Sequence, residues 1–148
     1  MKFSATAIIA ATAVSGAALE KKQADFYSVS EFSASCIPHS VYCSYSFQAL
    51  ASSGQSTPVT CETRLQGPDN LPSVPLTACS SPYTSFAVTR GASGLDLNIT
   101  SPLGTSSNVT GTYHIASSDI VATQSGAVIT ERYTGATSFD APTTVVNF

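Results

Sequence analysis

The run from Val41 to Ala49, VYCSYSFQA, alternates without a break. Val41, Cys43, Tyr45, Phe47 and Ala49 fall on one side, and Tyr42, Ser44, Ser46 and Gln48 on the other. A period of two marks a strand with one buried face, and a helix cannot satisfy it. GLDLNIT repeats the pattern, with Leu95, Leu97 and Ile99 opposite Asp96, Asn98 and Thr100. NVTGTYHI sets Val109, Gly111, Tyr113 and Ile115 against Asn108, Thr110, Thr112 and His114. Residues 26–32, 58–64, 83–90 and 127–133 read as further strands with less regular alternation. The stretches between them (SSGQST, GPDN, RGASG, SPLGTSSN and YTGATS) carry turn chemistry. Ser and Thr number 42 and charged residues are 10% of the chain, a composition suited to pleated, half-buried surfaces. Many short strands at near-regular spacing predict an all-β fold, a single-domain compact antiparallel β-barrel or sandwich. The three prolines of LQGPDNLPSVP (65–75) predict a loop.

The first 18 residues have a different character. Met1-Lys2-Phe3 supplies one positive charge, and Ser4 to Ala18 is a short apolar run ending in small residues, which describes a secretory signal peptide. A membrane anchor needs about 20 continuous apolar residues, and this run is shorter and diluted with Ser, Thr and Gly. The expected division is a signal peptide over 1–18, a short pro-segment or disordered mature N-terminus over 19–24, and the barrel over 25–148. Lys21-Lys22 offers a dibasic processing site. Secretion into the extracellular space places the four cysteines in an oxidising environment, where they pair rather than stay free. Three pairings are open. Cys36–Cys43 across a hairpin, with Cys61–Cys79 closing the proline-rich excursion, is favoured; the nested and crossed arrangements are the alternatives.

Past Gln23 the chain has three basic residues (Arg64, Arg90 and Arg132) against eight acidic ones. Such a surface repels phosphate backbones, so nucleic acid is not an expected partner. No basic amphipathic stretch suits a membrane surface. His39 lies between Cys36 and Cys43, but a thiol held in a disulfide is no nucleophile, and a histidine after a proline reads as a turn residue. His114 falls on the polar face of its strand. There is no Gly-x-Ser-x-Gly elbow and no His-Glu-x-x-His pair, so no catalytic, cofactor or metal-ligating residue is assigned. Asn98-Ile99-Thr100 and Asn108-Val109-Thr110 match the N-glycosylation acceptor pattern, with both asparagines opposite the apolar face. Two other readings compete. A barrel with Tyr45, Phe47, Phe86 and Tyr113 pointing inward can carry a small phenolic or apolar compound, unless these rings simply fill the core. A hydrolase requires two of Glu31, Glu62, Asp96, Asp119 and Glu131 to face each other across a cleft.

The stretch FYSVSEFSASCIPHSVYCSYSFQALASSGQSTPVTCE resembles the opening of the Alternaria major allergen family. There a strand ending in Ser-Glu-Phe leads through a hairpin into a serine- and aromatic-rich strand, a polar turn and a strand bearing a cysteine. Val29-Ser30-Glu31-Phe32, Ser46-Phe47 and Cys61 are the matching positions, and Cys79 stands where the partner of Cys61 is expected. The likeness covers roughly residues 25–80. It implies a small secreted fungal β-barrel without catalytic machinery, of the kind that includes allergens and elicitors of plant cell death and defence. Members engage host extracellular proteins, among them pathogenesis-related proteins of the thaumatin-like class. The chain lacks the allergen's cysteine ahead of the first strand and its C-terminal pair. That departure points to the elicitor branch and to a monomer or non-covalent dimer.

Overall fold

β1 (Phe26–Cys36) turns Tyr27 and Val29 into the protein, and then Phe32, Ala34 and Cys36. The inward phase therefore slips by one residue between Val29 and Phe32. The slip is a β-bulge: pairing with β2 (Tyr42–Ala51) runs Ser30↔Gln48 and then Ser33↔Ser46, so β1 carries one extra residue. Glu31 takes up the excess, exposed and at φ 53°, a left-handed conformation that costs a residue with a Cβ about 1–2 kcal/mol. Two side chains three apart thus both reach the core, which is why alternation over 26–32 is irregular in the sequence. The bulge also bends β1 from one neighbour to another. Phe26 to Val29 pair with β10 (Phe139–Asn147), while Ser35 pairs with Arg132 of β9 (Val128–Tyr133). Between these ladders, the Phe32 amide donates to the Thr137 carbonyl at 2.9 Å.

The other elements are β3 (Val59–Gln66), β4 (Val74–Ala78), β5 (Ser85–Gly91), β6 (Gly94–Pro102), β7 (Ser107–Ala116) and β8 (Ile120–Ser125). A one-turn 3-10 helix, Ser117–Asp119, leads into β8. This computed structural model describes residues 24–67 and 69–148; the expected signal peptide and the Lys21-Lys22 pair lie outside them. Strands neighbour one another in the order β3-β2-β1-β10-β7-β6-β5-β4, and the β8–β9 hairpin branches off β1. Every pairing is antiparallel. The two ends of the path meet where Cys61 of β3 bonds to Cys79, just after β4. There the Ser80 amide donates to the Thr60 carbonyl at 2.8 Å and the Thr60 amide to Ser80 Oγ at 3.0 Å. The fold is thus a nearly closed antiparallel β-barrel with two disulfides, Cys36–Cys43 and Cys61–Cys79, the favoured pairing. Among the described residues no helix is long and apolar enough to cross a membrane.

Three strands escape the alternation rule. β4 holds Pro75 inside the stretch expected to be a loop, β8 is exposed on both faces, and β10 contains Pro142 and leaves Val145 and Val146 exposed. The interior is filled by rings in contact. Phe47 meets Phe86 edge-on at 5.2 Å and Phe32 at 5.9 Å, and Phe32 packs edge-on against Tyr133 at 4.9 Å. Tyr113 is half-buried, stacked on Phe139 with centroids 3.7 Å apart. Burial of each of the large apolar side chains contributes about 1.5–3 kcal/mol. Gly111 sits on the apolar face of β7 because the Tyr27 ring covers it: a Cβ there would lie 2.6 Å from the ring.

Candidate functional site

The first hairpin turns at Ile37–Ser40. Pro38 takes the second position and His39 the third at φ 59°, as in a type II turn, and the Ser40 amide donates to the Ile37 carbonyl at 3.1 Å. His39 is exposed there, a turn residue as its place after Pro38 implies. Behind the turn, Cys36 and Cys43 face each other directly and both are buried. The bridge is roofed by the proline-rich loop. Cys43 Sγ, with no proton to donate, lies 3.5 Å from the Asn70 carbonyl and 3.8 Å from that of Gly67. A Cβ on Gly67 would come within 2.9 Å of the same sulfur, so only glycine lets the loop close over the disulfide.

That loop is not a free excursion. Leu71 is fully buried in the core, and its backbone is gripped on both sides. Its amide donates to Glu131 Oε2 at 2.9 Å, and its carbonyl accepts from Arg90 Nη1 at 2.8 Å. Arg90 and Glu131 complete the grip with a two-pronged ion pair, 2.6 Å and 2.9 Å. Around it, the Asp69 carbonyl accepts from the Glu131 amide at 2.9 Å, Ser73 Oγ from the Arg90 amide at 2.9 Å, and the Pro72 carbonyl from the Tyr45 hydroxyl at 2.7 Å. The electrostatics follow from this geometry. The Arg90 guanidinium, helped by the Leu71 amide, holds the Glu131 carboxyl below its ordinary range, and Glu131 raises Arg90 in return. Burial pushes the Tyr45 phenol well above its usual value. Tyr133 is pushed up to about 12 by burial, with Tyr113 and Asp119 adding to it. Nothing local in the sequence announces this clamp, because Arg90 and Glu131 stand 41 residues apart. The one hint is Leu71, an apolar residue between a turn and a proline.

On β6 and β7, the former the direct neighbour of the strand that bears Arg90, the polar face forms a ladder. Asp96 Oδ1 meets His114 Nδ1 at 2.7 Å, Thr112 Oγ1 donates to Asn98 Oδ1 at 2.9 Å, and the Thr100 and Thr110 hydroxyls share a 3.2 Å hydrogen bond. Both acceptor asparagines, Asn98 and Asn108, are half-exposed on this face, and the threonines of their two motifs are bonded to each other. The five acids weighed for hydrolysis are dispersed. Glu131 is taken up by Arg90 and Asp96 by His114, Glu31 and Glu62 lie exposed on β1 and β3, and Asp119 ends the 3-10 helix. Among the described residues there is no group of three His, Cys, Asp or Glu side chains placed to hold a metal ion. Tyr45, Phe47 and Phe86, weighed as a ligand lining, are buried. Compared with known proteins, the chain matches no protein-family profile and no curated protein sequence.

What the clamp and the first disulfide jointly present is a surface. At that end of the barrel an open groove of about 430 Å³ is lined by the His39–Val41 turn, the Ala127–Ile129 segment and exposed Asp69. Val41 and Ile129 flank it, 57% and 54% exposed, on elements fixed from below by Cys36–Cys43 and by Glu131.

Proposed function

We propose that this chain is a secreted, non-catalytic elicitor or effector, recognised by a host extracellular protein and provoking cell death and defence in plants. The observation that carries the reading is the open groove flanked by exposed Val41 and Ile129, whose lining also includes His39, Ser40 and Asp69. A preorganised surface loses little conformational entropy when a partner docks, so affinity comes from shape and apolar contact. The disulfides agree with an extracellular life, where such bonds persist. Core rings packed against one another favour recognition over carriage of a small ligand. The proposed partner is an extracellular defence protein, of the thaumatin-like class that the resemblance implies. Glycans at Asn98 and Asn108 belong to the same reading.

The test is infiltration of purified, disulfide-intact protein into leaf tissue beside a Val41→Asp/Ile129→Asp variant, together with capture from plant extracellular fluid. Native protein is expected to cause necrosis or defence-gene induction and to retain a partner. The variant is expected to lose both while keeping its melting temperature. Native protein that leaves the leaf unchanged defeats the elicitor reading.

A further inference from the structure

Among the described residues, the outer edge of β8 lacks the usual protection. β3 and β4 end the main path but meet each other at Cys61–Cys79, with Glu62 and Arg64 on one and Pro75 on the other. Charges, prolines and covering contacts are the devices by which sheet edges avoid adding strands. β8 has none of them. It pairs with β9 alone, and among the described residues its outer side meets no strand. From Ile120 to Thr130 the sequence is IVATQSGAVIT, free of charge and proline, and Val121 to Gln124 are exposed.

The register of the hairpin fixes what that edge offers. Ser125 pairs with Val128 across the two-residue turn Gly126-Ala127, so Ser125, Thr123 and Val121 spend their amides and carbonyls on β9. Ala122 and Gln124 aim theirs outward, as Ile120 does its carbonyl; the Ile120 amide is spent on the Ser117 carbonyl. We propose that the protein forms a two-fold homodimer by antiparallel pairing of β8 with β8 of a second copy, centred on Ala122. The segment is self-complementary about that residue. Ala122 meets Ala122 of the second copy, Ile120 meets Gln124, and Val121 comes beside Thr123. No charge opposes a like charge. An isologous interface requires this kind of self-match, and about four main-chain hydrogen bonds join the copies, from the Ala122 and Gln124 amides. The result is a continuous sheet running β1-β9-β8 in one copy and β8-β9-β1 in the other. The contact is small, so association in the micromolar range is expected.

Sedimentation velocity of the full secreted chain, from about 1 to 200 µM, reads the equilibrium directly. Wild type is expected to move from monomer to dimer across that range. Ala122→Pro removes only an outward amide, leaves the β9 ladder intact, and is expected to weaken the dimer at least about tenfold with an unchanged circular-dichroism spectrum. Should that variant fold poorly, Ala122→Lys tests the same contact by setting two like charges face to face on the axis. Ala122→Thr is expected to keep the dimer. A wild-type chain that stays monomeric at the highest concentration overturns the proposal, and so does a dimer indifferent to a folded Pro or Lys variant. The elicitor assay is scored separately: the Val41→Asp/Ile129→Asp variant alters the groove and leaves the outward edge of β8 around Ala122 unchanged.

Discussion

Two hairpins of this barrel carry the same backbone architecture and opposite kinds of support. The β1–β2 hairpin sets Tyr45, Phe47, Val29 and Phe32 into the core, is bridged by Cys36–Cys43, and lies under a loop that Arg90 and Glu131 pin down. The β8–β9 hairpin is joined to the sheet through one flank of β9, and its tip is uncharged and exposed on both strands. The contrast separates what a strand pair needs to exist from what fixes it in place. Backbone hydrogen bonds form both hairpins; core burial and a disulfide hold the first along its length, while the second is held at the base of β9, where Glu131 meets Arg90 and the Leu71 amide. The groove flanked by Val41 and Ile129 spans the turns of both hairpins, whereas the unpaired edge of β8 belongs to the second alone.

The contrast is most severely strained by opening the closure it depends on. Replacing Cys61 and Cys79 by alanine releases an 18-residue span and is expected to cost about 3 kcal/mol, against about 2 for the 7-residue span of Cys36 and Cys43. Urea unfolding of the two double variants, without reductant, measures the order. Next comes the clamp. Arg90→Met leaves the Glu131 carboxylate and the Leu71 carbonyl short of a donor, with an expected loss of about 2 kcal/mol. Its pH signature is specific. Glu131 ionises more readily in the folded protein than at its ordinary value of 4.5, so its contribution is full above that value and fades as pH falls through the lowered one. Wild type should therefore lose more stability between about pH 5 and pH 3 than Glu131→Gln does, as thermal melts across that range will report. The smallest effect belongs to the other hairpin: Val121→Thr, measured in dilute monomer, is expected to shift stability by no more than about 0.5 kcal/mol. A larger loss there would mean that the second hairpin is as firmly fixed as the first.

How far the fold can be read from residues follows the same division. Leu95, Leu97 and Ile99 alternate because their strand has one buried face, and they are buried as the pattern says. β8 has no pattern to read, since neither of its faces is fully covered, and β10 contains a proline and shows Val145 and Val146 to solvent. The cysteine pairing was legible because both spans are short and each closes a local unit. The clamp was not, because its partners are brought together only by completed strands: Arg90 closes β5 and Glu131 lies within β9. Leu71 shows the limit most clearly. Its neighbours Pro72 and Asn70 announce a loop, which is correct, but only the folded barrel makes that loop a lid with an apolar peg.

The bulge at Glu31 bears on how the chain tolerates changes in its length. Within β2 or either half of β1, adding or removing one residue turns every following side chain to the wrong face. At Glu31 the arithmetic differs, because one residue is already in excess there: removing it leaves Val29 and Phe32 two apart, both still facing inward. The straightened strand would keep its greasy face but lose the bend by which β1 serves β10 along one half and β9 along the other. A single-residue deletion at this point would be forgiven by the core and felt at the corner, where the β8–β9 hairpin would lose its anchor.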